Sequence, residues 1–483
     1  MVEYQVSSLG LDAFFIRMNV RKRLKVSEIP GNQYKSESGS VREMVAVALP
    51  MVVSLSCDTL MIFTDRLFLA KLSPEAMNAA MGGGIASFQC MSFFVGLIGY
   101  TTALVAQQYG AGERARASLA TFQAVLVALA VWPLLALLGP YAGTVFNRLG
   151  LSPEQAGMQS EYFSILILGS GLNLLRGALS GFFCGIGRTR VVMVSAFSAL
   201  VMNACAAWAL IFGHLGFSPL GIRGAAFGAI LGSLAGLGVL MYAYLESDNR
   251  RLYRIAASFR YDGPLMGSLL RFGYPSGVEL LLNILAFNTI IVLLHSKGPV
   301  TATAATILFN WDLISFLPLV GIEVGVTSLV GRYVGARDLS AAHRAARSGL
   351  KLTWGFAAAA VPLFACLPHL MVAIFKPAIT DPVFTNAAPL AGSMLRLAAL
   401  YVVSNGILLV YAGALRGAGD TLFTMCMTVG MHWVMAGGMY AALMFWQATP
   451  MQAWALVVGI FIFSPALLWH RWKTGRALER WNI

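Results

Sequence analysis

Long apolar blocks, each about the length of a bilayer crossing, succeed one another along this chain. The segments between them are mostly short and carry Gly, Pro or charge. A hydrocarbon core about 30 Å thick requires about 20 apolar residues of helix. Twelve blocks meet that requirement: roughly 44–70, 80–106, 117–140, 160–184, 190–213, 222–245, 268–294, 302–330, 350–374, 388–415, 421–446 and 450–470. The pattern predicts an all-α integral membrane protein with twelve transmembrane helices, tails at 1–43 and 471–483, and a linker at 246–264.

Composition agrees that the solvent is lipid. Hydrophobic residues make up 58% of the 483 and charged residues 11%, against about 45–50% and about 25% in soluble chains. Too little polar surface is available for a soluble fold, and disorder would need low hydrophobicity. A net charge of +13 would suggest nucleic-acid binding in a soluble protein, but its placement points elsewhere. The loops opposite the tails hold only Lys71, Arg148, Arg223, Lys297 and Lys376, while Arg66, Arg176 and Arg396 fall within blocks. The other basic residues lie in the tails and the loops on their side, Arg250, Arg251, Arg254 and Arg260 of the linker among them. This is the positive-inside asymmetry, and it places both termini in the cytoplasm.

The stretch LDAFFIRMNV precedes Arg21, Lys22, Arg23 and Lys25 rather than following them, so it does not read as a cleavable signal. Leu11, Phe14, Phe15 and Met18 would share one helical face, which suits either a surface-lying helix or a loose basic tail. Cys57, Cys90, Cys184, Cys205, Cys366 and Cys426 are scattered singly, without metal or disulfide spacing. They read as buried, inert thiols.

A duplication emerges when the chain is shifted by 225 residues: TALVAQQYGAGE (102–113) falls on TSLVGRYVGARD (327–338), and the ALP ending at Pro50 falls on the GYP ending at Pro275. At a shift of 232, GFFCGIGRT (181–189) meets GALRGAGDT (413–421) and Asn173 meets Asn405. Each half has six blocks, an even number, so the repeat is parallel. Two six-helix lobes, 44–245 and 268–470, are expected. Secondary transporters use such repeats, with a site between the lobes near the midplane and alternating access by rocking.

The segments ALPMVVSLSCDTLMIFTDRLFLAKL, ALVAQQYGAGE, GFFCGIGRTR, ALIFG with GIRGAAFGAILG, GYPSGVELLLN and GALRGAGDT together resemble the multidrug and toxic compound extrusion (MATE) transporters, over about residues 41–470. The resemblance implies two six-helix lobes around a V-shaped cleft. It also implies efflux of amphipathic, often cationic organic compounds driven by inward flow of protons or sodium ions.

Ionisable groups within a bilayer are functional candidates by default. Asp58 and Asp65 of the first block are seven residues apart, nearly on one helical face and about 10.5 Å apart along the axis. FTDRLFLA resembles the family motif whose carboxylate binds the coupling cation, so the resemblance assigns that role to Asp65. A structural pairing with Arg66 or Arg176 is the plainer alternative. Removing a carboxyl group from water favours its neutral form, and a group that takes a proton also stops attracting a cationic drug. Competition of that kind, coupled to rocking, is antiport.

The resemblance implies that Asn203 retains one position of the sodium-type ligand set and that Asn173 faces the same region. Ala207 and Ala229 stand where an acid and a hydroxyl would complete the set, so protons are favoured over sodium as the coupling ion. In the second half, Glu279 and Asn283 are one turn apart on one face. Related members carry acids near Asn283 and Asn405, which here are amides. Glu279 is therefore a candidate for substrate cations or proton coupling, or simply a glutamate satisfied by neighbouring hydroxyls and amides.

Asp312 and Glu323, three turns apart on the eighth block, are further cleft candidates, with Phe287, Trp311 and Phe316 as aromatic ones. Arg176 could pair with Asp58 or Asp65, or snorkel, while Arg188 and Asp420 sit at loops and need no special role. Pro50, Pro275 and Pro318 would bend their helices, as hinges or as fixed kinks. No cofactor and no metal are expected. The expected partners are small organic cations or amphipathic drugs and the lipid bilayer, with no nucleic acid, and a monomer suffices. The expected location is the bacterial inner membrane.

Two other readings stand beside this one. A flippase for lipid-linked precursors would have about fourteen spans and a strongly cationic cleft, whereas this chain has twelve blocks and more carboxylates than arginines within them. A membrane-embedded enzyme would need a catalytic motif, and the chain has no HExxH or GxSxG.

Overall fold

The computed structural model describes residues 38–149, 152–216, 218–376, 382–475 and 478. The amphipathic face expected of Leu11, Phe14, Phe15 and Met18 lies outside the described residues. Regular secondary structure among the described residues is helical throughout.

The first half comprises α1 (Val41–Ala70), α2 (Pro74–Gly99), α3 (Thr101–Gly110), α4 (Arg114–Ala136), α5 (Ala142–Phe146), α6 (Pro153–Leu168), α7 (Ser170–Gly185), α8 (Thr189–Phe212) and α9 (Ile222–Leu245). The linker carries α10 (Ser247–Leu252) and α11 (Ile255–Ser258). The second half comprises α12 (Gly263–His295), α13 (Pro299–Gly335), α14 (Leu339–Cys366), α15 (Pro368–Ala373), α16 (Pro382–Gly417), α17 (Thr421–Met444), α18 (Pro450–Ile462) and α19 (Ser464–Lys473).

Helix starts follow from capping chemistry. Ser40, Ser73, Ser152, Asp262 and Thr449 each accept a backbone N–H of the first turn through a side-chain oxygen. In several of these helices a proline occupies the first turn, where its missing N–H costs no hydrogen bond.

Among the described residues, eleven helical segments are long and apolar enough to cross a membrane, and α6 with α7, bent by 42°, can form a twelfth. The twelve apolar blocks thus correspond to eleven such segments and one bent pair. That 42° bend falls at Gly169, whereas α1, α12 and α13 run on as helix through Pro50, Pro275 and Pro318. Cys205, Cys366 and Cys426 are exposed, contrary to the expectation of buried thiols. In a bilayer an exposed helix face meets lipid, so an apolar thiol needs no protein core around it.

The duplication is visible in which helices touch. In the N-terminal lobe α1 packs on α8, and α2 and α3 pack on α6 and α7. In the C-terminal lobe the equivalent helices repeat these contacts, α12 on α17 and α13 on α16. Between lobes, α2 crosses α12 and α13 crosses α1.

Small residues make these crossings close. A Cβ on Gly96 would lie 2.5 Å from the Ser276 carbonyl oxygen. One on Gly321, its counterpart at the 225-residue offset, would lie 2.5 Å from Val52 Cγ2.

The two lobes are also tied together near their basic loops. Gln107 on α3 donates to the Gly417 carbonyl at 2.8 Å. Its counterpart in the repeat, Arg332 on α13, reaches back to Glu43 at 3.3 Å and stacks 5.4 Å from the Tyr109 ring. Ser328 donates to the Cys184 carbonyl at 2.5 Å, and Tyr333 donates to Glu43 at 2.5 Å. The linker is docked rather than loose: Ser118 and Gln123 of α4 donate to the carbonyls of Tyr253 and Arg260 at 2.7 and 2.9 Å.

Candidate functional site

Among the described residues, ionisable side chains are buried within the spans of both lobes. In the N-terminal lobe α9 carries Gly224, Gly228, Gly232 and Gly236 at intervals of four, a stripe that brings it against α8. A Cβ at Gly232 would sit 2.8 Å from that of Asn203, and one at Gly228 would sit 3.0 Å from that of Ala207. The stripe fixes Asn203 from behind, and its amide donates to Asp65 Oδ2 on α1 at 3.3 Å.

Asp65 is 4% exposed and Asn203 0%. Their remaining oxygens, Asp65 Oδ1 and Asn203 Oδ1, are buried with no hydrogen-bond partner among the described residues. A buried acceptor left unpaired costs about 1–3 kcal/mol, more when charged. This pair therefore has room in its bonding for a donor or a small cation. Ala207 is buried at the α8–α9 contact, so the position where an acid would complete a sodium-type set is spent on helix packing.

The other N-terminal candidates lie apart from this pair. Asp58 forms a partly buried ion pair with Arg176 of α7 at 2.6 Å. Of Asp58 and Asp65, Arg176 pairs with Asp58, and Asp65 has no ion-pair partner among the described residues. Asn173, one turn before Arg176 on α7, is exposed and makes no hydrogen bond to Asp65 or Asn203.

In the C-terminal lobe Glu279 on α12 is 5% exposed and Glu323 on α13 is 7% exposed. Arg416 on α16 joins them: its Nη1 donates to Glu323 and its Nη2 to Glu279 at 3.2 Å. Thr428 of α17 donates to the second oxygen of Glu279 at 2.9 Å. Asn283, a turn beyond Glu279, keeps a buried Oδ1 without a partner, and Asn405 is buried on α16.

Asp312 is 9% exposed and has no ion-pair partner among the described residues. The two carboxylates of α13 therefore part company, Glu323 joining Glu279 and Asp312 standing alone. Of the aromatic candidates, Trp311 donates its indole N–H to the Met371 carbonyl at 3.1 Å and packs on the C-terminal core. That contact ties Trp311 to α15. Phe287 stacks edge-on against Phe309 at 5.0 Å, and Phe316 is half-buried.

Arg416 is the residue that the sequence reading misplaced, by counting it among basic loop residues. It belongs to the last turn of α16 and its guanidinium is turned into the lobe. The available signal was the repeat: Arg416 aligns with Cys184, so a cation stands in one half where the other has a thiol. Arg188 and Asp420, equivalent loop positions, hold the ends of their lobes, Arg188 donating to Asn249 and Arg471 donating to Asp420, both at 2.8 Å.

Comparison with known proteins adds three findings. The family described as MatE matches residues 50–209 and again 275–435, one match in each half. The multidrug resistance protein PmpM of Pseudomonas aeruginosa is 28% identical over 400 residues, covering 81% of this chain and 82% of its own. A probable multidrug resistance protein NorM of Thermotoga maritima is 26% identical and covers 93% and 97% respectively.

Among solved structures, a MOP superfamily transporter from Pyrococcus furiosus superposes with a TM-score of 0.82 at 18% identity, over 90% of this chain and 96% of its own. A multidrug resistance MATE family transporter in an outward-facing conformation gives 0.81 at 19%, over 91% and 97%. These structures share the fold of this chain.

Proposed function

Because this chain belongs to the MatE family of multi-pass membrane transporters, we propose that it is a multidrug exporter that exchanges protons for amphipathic, often cationic organic compounds by rocking of its two lobes. It is a transporter and not an enzyme. The export of drugs is supported by the multidrug resistance names of its relatives.

The observation that carries proton exchange is the state of Asp65. It is buried, it has one neutral partner, Asn203, and one of its oxygens has none. No cation is paired with it among the described residues, and by the family resemblance Ala207 and Ala229 stand where an acid and a hydroxyl would complete an oxygen cage. A proton satisfies such a carboxylate with a single bond, whereas a sodium ion requires several oxygen ligands. When protonated, Asp65 no longer attracts a cationic compound; when ionised, it does. The two occupants exclude one another electrostatically, and that exclusion is what exchange requires.

The rocking half of the cycle is supported by the ties between lobes near the basic loops, from Gln107 to Gly417 and from Arg332 to Glu43. With the basic side taken as cytoplasmic, this is a conformation closed to the cytoplasm. We place the chain in the bacterial inner membrane with both termini cytoplasmic, working as a monomer because one chain supplies both lobes.

The test uses the full chain in proteoliposomes loaded with a cationic dye. An imposed pH gradient is expected to drive efflux from the native protein, and Asp65→Asn is expected to reduce that flux to the level of empty vesicles while retaining the native elution profile. Efflux that responds to a sodium gradient alone would overturn the choice of ion. Native flux in Asp65→Asn would remove this residue from the mechanism.

A further inference from the structure

Four helices of the C-terminal lobe converge on one guanidinium. Arg416 of α16 lies between Glu323 of α13 and Glu279 of α12, and Thr428 of α17 closes the far side of Glu279. Its Nε is buried and makes no hydrogen bond among the described residues, and the side chain is held by the two carboxylates. Two acids and one Arg carry a formal charge of −1. A further titratable group, His432, adjoins Thr428, its Nδ1 lying 2.7 Å from the Thr428 carbonyl oxygen.

The other lobe provides an internal control. At the repeat offsets the positions of Glu279, Glu323, Arg416 and Thr428 are occupied by Ser54, Ile98, Cys184 and Ala196. Both acids and the cation are missing together. A guanidinium kept for packing alone would not depend on two acids on two other helices, and two buried acids without a cation would repel one another.

We infer that Arg416 is a built-in cation: it fills the seat between Glu279 and Glu323, so the C-terminal lobe carries its own counter-ion and takes no sodium from solution. The inference narrows the proton-exchange reading on which it rests, since it leaves ion coupling to Asp65. Arg stays charged at any physiological pH and binds carboxylates through a planar fork. A dissolved monovalent metal must displace a competitor that never leaves, because it is covalently attached. Removing the guanidinium changes the charge of the seat from −1 to −2 and frees carboxylate oxygens, the ligand type that hard cations prefer. Arg416 is therefore a residue that sets ion specificity by occupancy.

The experiment compares thermal unfolding of the purified full chain in detergent when potassium is exchanged for sodium at about 150 mM. Native protein is expected to be indifferent. Arg416→Met is expected to gain a sodium-dependent rise in Tm of about 2 °C or more.

Two facing acids can prevent Arg416→Met from folding, so Arg416→Met with Glu279→Gln is measured alongside. That double variant keeps the native charge of −1 and is expected to show a smaller rise with sodium. Folded variants that show no sodium effect would overturn the inference. So would a sodium effect in native protein that disappears in Glu279→Gln or Glu323→Gln. A native sodium effect that survives those changes but vanishes in Asp65→Asn would leave the C-terminal seat as inferred and instead overturn proton coupling.

Discussion

The two lobes share one architecture and place their charges at different depths. On the common frame of the repeat, Asp65 corresponds to Ile290 and Glu279 to Ser54, eleven positions apart, which is about 16 Å along a helix. Asn203 corresponds to Met435 and Arg416 to Cys184. Neither group has a counterpart in the other lobe, whereas the helix pairings and the glycine crossings recur in both. Duplication preserved what packing requires and let the ionisable residues diverge.

The two groups also differ in how completely their bonds are met. Asp65 retains an oxygen with no partner, while Glu279 and Glu323 share a cation and Glu279 has a hydroxyl besides. An unsatisfied group is a place where binding a proton gains free energy. A satisfied one holds helices in register. The N-terminal group is thus suited to exchange and the C-terminal group to cohesion.

The sharpest way to break this contrast is to remove the central residue of each group and compare stability. Arg416→Ala leaves two buried carboxylates without their cation, and breaking a buried pair from one side costs about 3–5 kcal/mol. Asp65→Asn replaces one hydrogen-bonding group by another of the same shape and is expected to cost less than about 1 kcal/mol. Unfolding of both variants in detergent, followed by intrinsic fluorescence, checks the ranking. A larger loss in Asp65→Asn would reverse the assignment of exchange and cohesion.

The symmetric part of the comparison can be tested at the paired glycines. A Cβ on Gly110 would come within 1.8 Å of the Arg332 carbonyl oxygen, and one on Gly335 within 2.1 Å of the Gln107 carbonyl oxygen. Overpacking of this kind costs about 1–3 kcal/mol. Gly110→Ala and Gly335→Ala are expected to destabilise by similar amounts, because each forces the same two helices, α3 and α13, apart from opposite sides. Strongly unequal losses would show that the lobes do not share the load at this crossing.

The frame was legible in the sequence and the charge network only in part. Span length is dictated by the thickness of the bilayer, and the parity of six spans fixes the sense of the repeat, so twelve helices in two lobes followed from apolar blocks and matched motifs. An acid in a long apolar block is rare, which marked Asp58, Asp65, Glu279, Asp312 and Glu323 alike, and Asp65 stood out among them because FTDRLFLA resembles the family motif. Arg416 did not, because its block ends one residue earlier and a cation at a span boundary reads as a loop residue. Its true depth is set by α16 running on to Gly417 and by two partners far away in the chain. The bend at Gly169 was equally hidden, since glycine recurs throughout these spans and no proline marks it.

A small effect is also expected where the lobes are tied by a hydroxyl. Tyr333 donates to Glu43 at 2.5 Å and accepts from the Gly39 N–H at 3.0 Å, which links the end of α13 to the start of α1 across the two lobes. Tyr333→Phe deletes both bonds and keeps the ring, while Arg332 still holds Glu43 at 3.3 Å. A hydrogen bond to a charged group contributes about 1.5–3 kcal/mol at most, and the remaining Arg332 contact reduces the loss to about 1 kcal/mol. One kcal/mol is about a fivefold change in an equilibrium constant. Spin labels on Ala111 and Ala336, exposed residues at equivalent positions beyond α3 and α13, should therefore show the population separated on the basic side rising about fivefold. An unchanged distance distribution would mean that Tyr333 braces α1 without resisting separation of the lobes, and the tie between them would rest on Arg332 and Gln107.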